Sequence, residues 1–386
     1  MEKLKENKLL IIAIVAIVIL GVVVFFGDKI GMKNSNNNQN GRDVNGSTQT
    51  GAEANFNIVK TKASSLTLED YSTDVFSMKK PQGWSVETGG AGMYYAIKVY
   101  DPQDTNNQVF LMLKMQPLLK SSAAKSAWQN YYQLSGNSSQ YKVFADAVVL
   151  DNPTTEDFYS KFGEISSYMN GIEPTLASFK FPTLSNFVKQ EEFESSSSMK
   201  NVALDSKVLR ATFKGDNQKN GEGMFMASIV NFGTQYQGGA DMGYYMIYDI
   251  MAITADKDEF INYKDILLQS VNSIEFSNAY VTKTIDDGNA QTKQALALNA
   301  SIQKSFDSYM SAWENRQKSY DIMSQKQSDA TLGYERVYDT ETGDIYKTYN
   351  GFTDDYTGNR YQTITDEMYT NKIEGYIEKK WKINWV

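Results

Sequence analysis

The hydrophobic residues of this chain follow several patterns, and the first is an unbroken apolar run near the N-terminus. Residues 9–26 (LLIIAIVAIVILGVVVFF) contain no charged side chain. At 1.5 Å per residue they form a helix of about 27 Å, close to the roughly 30 Å hydrocarbon core of a bilayer. Lys3, Lys5 and Lys8 precede the run, and this basic excess favours a cytoplasmic N-terminus at residues 1–8. We therefore predict a single-pass transmembrane signal anchor with an extracytoplasmic body.

A cleaved secretory signal is the alternative for this run. The apolar part of such a signal spans about 7–15 residues and ends at a site with small residues at two fixed positions. The run here is longer, and the segment VVVFFGDKIG at its end lacks that site. The sequence therefore favours an anchor that stays attached.

Apolar residues become rare directly after the anchor. Residues 27–57 are rich in Asn, Gly, Ser and Thr. Such a composition cannot bury enough apolar surface to offset the entropy lost on ordering. We predict a flexible tether that holds the folded body near the membrane.

Strand-like alternation dominates residues 67–277. Segments such as MYYAIKVYD and QVFLMLKMQPLL favour strands. Aromatic residues recur at helical spacing over residues 122–134, and residues 256–276 (DKDEFINYKDILLQSVNSIEF) favour a closing helix capped by Asp256 or Asp258. Runs of strands with a few helices predict an extracytoplasmic α+β domain around an antiparallel sheet.

The start of this domain resembles a known family. Residues 76–86 (FSMKKPQGWSV) are similar to the opening of PsbP/Mog1-type domains, in which a strand meets a Pro-x-Gly-Trp turn and a second strand follows. The specific match covers about a dozen residues. The resemblance implies an α+β sandwich with a binding or assembly role and no catalytic residues.

A helical period begins near residue 286. We predict a long amphipathic helix over residues 286–327, packed on the following hairpin or on the first domain; a coiled-coil seam is the alternative, although Arg316 interrupts the stripe. The stripe consists of Ala295, Leu298, Ile302, Phe306, Tyr309, Trp313, Tyr320 and Met323. Residues 328–386 are predicted to form a β-hairpin module. The Trp-x-x-Arg helix and the segment LGYERVYDTETGDIY resemble uncharacterised exported proteins of Gram-positive bacteria.

Two missing residue types restrict the chemistry. The 386-residue chain has no histidine and no cysteine. This excludes a Ser-His-Asp triad, histidine-ligated zinc or haem, disulfides, thiol nucleophiles and iron–sulfur clusters within the chain. The net charge is −8, which argues against nucleic-acid binding because that affinity comes largely from Lys and Arg on phosphates. We predict no cofactor and no metal site.

The hairpin sequence GYERVYDTETGDIYKTYNGF (residues 333–352) is the strongest candidate for a binding site. DTETGD favours a three-residue loop with Gly343 in the left-handed conformation. Tyr338 would then face Tyr346, and Val337 and Ile345 would contact the long helix. One partly exposed face would stack on a sugar ring or hold a protein partner; it comprises Tyr334, Arg336, Tyr338 and Tyr346. The alternative is that these residues pack on the first domain.

Three weaker chemical patterns remain. Ser-x-x-Lys, a serine acyl-enzyme signature, recurs along the chain, for example at Ser197/Lys200, but no Lys-Thr-Gly follows anywhere. Residues 339–344 partly match a calcium loop, with glycine one position too early. A glycan hydrolase would need two acids about 5–9 Å apart, and the candidates are Glu335, Asp339, Glu341, Asp344, Asp354 and Asp355.

Together these patterns favour a non-catalytic protein of the bacterial cell envelope. It would be anchored in the cell membrane and would bind or assemble with another protein or a cell-wall polymer. A carboxylate-dependent glycan hydrolase acting on cell-wall or surface polysaccharide is the alternative. We predict no catalytic residue.

Overall fold

The computed structural model describes residues 58–195, 197–216, 218–234, 236–237, 239–286 and 319–379, all within the compact unit Thr50–Val386. The predicted anchor, the predicted tether and most of the predicted long helix lie outside the described residues. In the described part, no helix is both long enough and apolar enough to cross a membrane. The described chain is mixed α+β, as the sequence predicts.

Strands and helices follow one another in blocks along the described chain. The strands are β1 (Ile58–Lys62), β2 (Leu68–Ser72), β3 (Phe76–Pro81), β4 (Ser85–Gly89), β5 (Ala96–Tyr100), β6 (Gln108–Lys114), β7 (Leu118–Leu119), β8 (Ser185–Glu194), β9 (Asp205–Lys214), β10 (Asn220–Phe232), β11 (Tyr236–Gln237), β12 (Ala240–Asp241), β13 (Tyr244–Asp256), β14 (Glu275–Phe276), β15 (Tyr334–Asp339), β16 (Ile345–Tyr349), β17 (Tyr361–Thr363) and β18 (Gly375–Lys379). The α-helices are α1 (Ser122–Leu134), α2 (Ser139–Asp146), α3 (Thr155–Ser160), α4 (Phe162–Ile172), α5 (Phe260–Asn272), α6 (Asn278–Asp286), α7 (Ser319–Leu332) and α8 (Phe352–Asp355).

An antiparallel sheet forms the centre of the fold. In the described residues its strands lie in the order β4-β5-β6-β13-β10-β9-β8, with β7 also paired to β13. Phe110 and Met112 enter a core with α1, α3 and α4, whereas Leu111 and Leu113 enter a core with α5 and β3. Both faces of the sheet are therefore covered, which explains why β10 and β13 are buried along nearly their whole length.

Local predictions in this domain are largely confirmed. The helix predicted at residues 122–134 is α1, and the turn before Trp84 links β3 to β4, with the Trp84 N–H donating to the Pro81 carbonyl at 3.1 Å. The predicted cap of the closing helix is wrong. Glu259 occupies the cap position, and its side chain accepts no capping hydrogen bond from the helix backbone. The Asp256 carboxylate instead accepts a hydrogen bond from the Asn106 amide at 2.8 Å.

A second sheet forms at the C-terminal end of the described chain. Its order is β1-β18-β16-β15-β17, with β16 and β18 parallel and the other pairs antiparallel. Strand β1 precedes the first domain in the sequence, so the module predicted over residues 328–386 is completed by residues 58–62. Within α7, Ile322 is buried and Met323 is 60% exposed. The placement of Met323 on the apolar stripe is therefore wrong.

The predicted register of the hairpin is wrong by one residue. Tyr338 pairs with Ile345, and Val337 pairs with Tyr346. The Asp339 N–H donates to the Asp344 carbonyl at 2.9 Å, which closes the loop over residues 340–343. Gly343 has the predicted left-handed conformation, with φ of 78°. A one-residue shift moves every later side chain to the opposite face of the sheet. Tyr346 therefore lies on one face of the hairpin, and Tyr334, Arg336 and Tyr338 lie on the other.

Candidate functional site

The four residues predicted to form a binding face do not share one. Arg336 is 2% exposed and donates from Nε to Asp329 Oδ2 at 2.5 Å. Tyr346 is 8% exposed and packs in the C-terminal core. Tyr338 is half-buried, with its hydroxyl on Gln362. Tyr334 is 36% exposed. The predicted exposed face is therefore wrong for Arg336 and Tyr346, which have structural environments.

Polar contacts connect this sheet to the first domain. Buried Lys347 lies 3.5 Å from Asp329 and 3.5 Å from Asp258, which lies two residues before α5. The Tyr376 hydroxyl donates to Glu259 at 2.7 Å. The alternative considered for the hairpin, packing on the first domain, therefore agrees with these contacts.

The candidate acids of the hairpin are held by structural partners. Glu335 accepts from the Gly351 and Thr353 N–H groups at 2.9 and 2.6 Å. Burial tends to raise the pKa of Asp339, but hydrogen bonds from Arg360 and Lys60 outweigh it and lower this pKa to about 2. A carboxylate held in its charged form is a poor general acid. In the described residues no group of three or more acids is placed to hold a metal ion.

Of the Ser-x-x-Lys pairs, Ser197/Lys200 has an unusual environment. Lys200 does not serve Ser197, because its ammonium pairs with Glu194 at 2.7 Å. The Ser197 hydroxyl is buried and donates to Asp249. Ser197 therefore has no lysine placed as the base that an acyl-enzyme serine needs. Its partner is instead a buried carboxylate in the main sheet.

Asp249 lies at a β-bulge in the centre of the main sheet. The pairing of β10 with β13 shifts between Met226 and Ser228, and Asp249 has a left-handed φ of 55°. Its Oδ2 accepts from the hydroxyls of Ser197 and Ser228. Oδ1 is buried and has no hydrogen-bond partner in the described structure. Burial raises the pKa of Asp249 to about 6, although the serine bonds oppose this shift.

A lysine and several tyrosines meet beside this bulge. Lys114 pairs with Tyr248 across β6 and β13. Its ammonium lies 5.8 Å from the centre of the Tyr248 ring and 5.4 Å from that of Tyr94. Burial lowers the pKa of Lys114, and no carboxylate among the described residues forms a salt bridge with it. Tyr244 packs against the same buried cluster as Tyr248. We call Tyr94, Lys114, Tyr244 and Tyr248 the lysine–tyrosine site.

The hydroxyls of Tyr94 and Tyr248 are held in the neutral form. Burial, followed by the charge of Glu173, raises the pKa of Tyr94 to about 12. Burial likewise raises the pKa of Tyr248, whose hydroxyl is buried without a hydrogen-bond partner in the described structure. Tyr244 stacks on Phe232 with ring centres 5.8 Å apart. At neutral pH the site therefore offers an ammonium, phenol donors and aromatic surface.

A glycine-rich turn positions Tyr94 in this site. Gly90 has φ of 82°, and a Cβ atom there would lie 2.0 Å from the Tyr94 carbonyl oxygen. The Tyr280 hydroxyl donates to the Gly92 carbonyl at 2.6 Å and ties α6 to the same turn. The stretch GGAGMYY (residues 89–95) is the sequence signal that could have pointed to this site.

The arrangement is suited to binding. Lys114 can attract an anion, and neutral phenols can donate hydrogen bonds to it. No protein-family model matches this sequence, and no curated protein gives a significant match. A function for the chain therefore has to follow from its own residues and their geometry.

Proposed function

We propose that this chain is a non-catalytic binding or assembly protein of the bacterial cell envelope. Residues 9–26 anchor it in the cell membrane by a single pass, with residues 1–8 in the cytoplasm and the body outside. The partner is another protein or a cell-wall polymer, and it binds at the lysine–tyrosine site. One observation carries the proposal: Lys114 is desolvated, has no carboxylate partner in the described structure, and has its ammonium within 6 Å of the centres of two tyrosine rings.

Desolvation of a charged group costs free energy unless another interaction compensates. Aromatic contacts offset part of this cost for Lys114. Tyr248 is the strand-pairing partner of Lys114, and its hydroxyl also lacks a hydrogen-bond partner in the described residues. Groups with strongly perturbed environments concentrate at functional sites. A ligand that supplied both a negative charge and a hydrogen-bond acceptor would compensate both groups.

The fold proposal is an α+β sandwich of PsbP/Mog1 type. It is supported by the strand–turn–strand at β3 and β4 and by the closing helix α5 followed by β14. The resemblance to this family implies a binding or assembly role and no catalytic residues. The glycan-hydrolase alternative has less support, because the hairpin acids Glu335 and Asp339 hold backbone groups and cations.

Topology can be tested on spheroplasts that produce the full chain. External protease should remove the body and leave a small stub embedded in the membrane. Protection of the body would contradict the proposed orientation. A mature protein whose N-terminal sequence starts at residue 27 or later would show that the run is a cleaved signal.

Binding can be tested with the full chain in detergent and isolated cell walls. We expect the protein to sediment with the walls, or to cross-link to a specific envelope protein in intact cells. Lys114→Met should weaken this capture, whereas Lys79→Met, which removes a lysine with a 62% exposed side chain, should not. Capture that is equal in both variants would contradict the assignment of the site.

A further inference from the structure

We infer that the lysine–tyrosine site binds a singly charged oxyanion, a carboxylate or a phosphodiester, carried on a ligand with an apolar ring face. This inference rests on the proposed function, because it names the chemical class of the ligand at the same site.

Lys114 is the cation of this site, and the neighbouring acids Glu173 and Asp249 act on Tyr94 and Tyr248. Lys114 is half-buried, and desolvation alone accounts for the lowering of its pKa. None of the described carboxylates forms a salt bridge with its ammonium, so a bound anion would not have to displace an existing ion pair. The attraction between opposite charges is stronger at a partly buried site than in water. A neutral or cationic ligand would leave the desolvated ammonium uncompensated.

The hydrogen-bonding groups at the site favour an acceptor ligand. The Tyr248 hydroxyl is buried and bonds to no other described group. The pKa values of Tyr94 and Tyr248 are both raised by burial, so each keeps its proton at neutral pH. Oxygens of a carboxylate or phosphodiester accept hydrogen bonds without donating any. The ammonium and the phenols are therefore matched to the same ligand group.

One lysine matches one negative charge. A doubly charged phosphate monoester would bring a second charge for which the lysine–tyrosine site has no further cation. The half-buried Tyr244 packs against the same buried cluster as Tyr248 and is stacked on Phe232 with an interplanar angle of 9°. Aromatic faces of this kind take up the apolar side of a ring. A sugar ring carrying a carboxylate, or a ring linked through a phosphodiester, fits both features.

The test uses the full chain in detergent and small probes. Thermal shift and tyrosine fluorescence would be measured with glucuronate, diethyl phosphate and neutral glucose. We expect both anions, or one of them, to bind and glucose not to bind. Lys114→Met should weaken binding at least about tenfold, because bonds to charged groups contribute about 1.4 kcal/mol or more. Tyr248→Phe should weaken it less, and Lys79→Met should leave it unchanged.

The outcomes separate this inference from the proposed function. Binding of glucuronate alone identifies a carboxylate source, and binding of diethyl phosphate alone identifies a phosphate source. Equal binding of glucose, or binding that persists in folded Lys114→Met protein, overturns the inference. If wall capture depends on Lys114 but neither anion binds, the inference fails and the proposed function stands. If the wild-type protein captures no wall or envelope partner, the proposed function fails.

Discussion

Lys60 and Asp339 form an ion pair with an Nζ–Oδ2 distance of 2.5 Å, although 279 positions separate them in the sequence. The Asp339 side chain is fully buried, and Arg360 donates to both of its oxygens at 2.9 and 3.0 Å. The Lys60 ammonium also lies 4.3 Å from the centre of the Tyr346 ring. The strand that follows the predicted tether is thus held in the C-terminal sheet by charge as well as by backbone pairing.

Replacing Lys60 should therefore destabilise the C-terminal sheet. We expect Lys60→Met to lower the free energy of unfolding by about 1.5–3 kcal/mol, the usual contribution of a hydrogen bond to a charged group. Lys62→Met on the same strand is the matched control, because Lys62 is exposed and forms no salt bridge with a described residue. Urea unfolding of the full chain in detergent measures both. Equal losses in the two variants would show that the ion pair is not important for stability.

Asp249 should make the protein less stable as the pH rises from about 4 to 6. Its pKa is raised from 3.8 to about 6 in the folded chain, so the unfolded chain loses this proton first. The stabilisation is fully present below about pH 4 and is lost through pH 6, with a total of about 3 kcal/mol. Asp249→Asn keeps a residue that tolerates the left-handed conformation. This variant should be more stable than the wild type at pH 7 and similar to it at pH 4.

Urea midpoints across this pH range measure the effect of Asp249. Asp70→Asn is the control, since the Asp70 side chain is 90% exposed. It should leave the pH dependence unchanged. A wild-type difference between pH 4 and pH 7 that persists in Asp249→Asn would mean that other groups cause it.

Tyr346 and Tyr334 should respond differently to truncation. Tyr346→Ala removes a ring from the C-terminal core, and we expect a loss of about 3–5 kcal/mol, as for other large aromatic truncations. Tyr334→Ala removes a ring that is 36% exposed, and we expect a loss below about 1 kcal/mol. Melting of the full chain tests this difference. A small loss of stability for Tyr346→Ala would contradict its place in the core and would support the exposed face predicted from the sequence.

Two glycines allow the turn at Tyr94 to be tested. Gly90 and Gly83 have nearly the same φ, 82° and 80°, so alanine costs about 1–2 kcal/mol of backbone strain at either position. A Cβ atom at Gly83 has no neighbour within 4 Å, whereas one at Gly90 collides with the Tyr94 carbonyl. Gly90→Ala should therefore displace Tyr94 and weaken anion binding. Gly83→Ala should leave binding intact. Equal binding in both variants would show that Tyr94 does not contribute to the site.

Local elements follow closely from the residue pattern. Helix α1 spans residues 122–134 as predicted, because its aromatic and polar residues alternate at helical spacing and Ser121 caps it. The near-continuous apolar runs of β10 and β13 likewise agree with strands covered on both faces. The capped helix depends on interactions between residues close in sequence, and the apolar runs record how much of each strand is buried.

The candidate site could not be predicted in the same way. The prediction of an exposed binding face on the hairpin was wrong because one hydrogen bond, from the Asp339 N–H to the Asp344 carbonyl, sets the register. The pattern of tyrosines fits either register. The lysine–tyrosine site needs Tyr94, Lys114 and Tyr248, which come from a turn and two strands. The spacing of these residues in the chain carries no signal of their contact.

The sequence by itself determined the α+β class, the main helices and strands of the described chain, and the chemistries that are impossible without histidine and cysteine. The tertiary structure alone decided that residues 58–62 complete a sheet formed by residues 334–379, that Arg336 and Tyr346 are buried, and that Lys114 lies close to two tyrosine rings. The physical reason is the sequence separation over which each kind of interaction acts. Propensity and periodicity act over a few residues, whereas strand pairing and burial depend on segments that meet only in the folded chain.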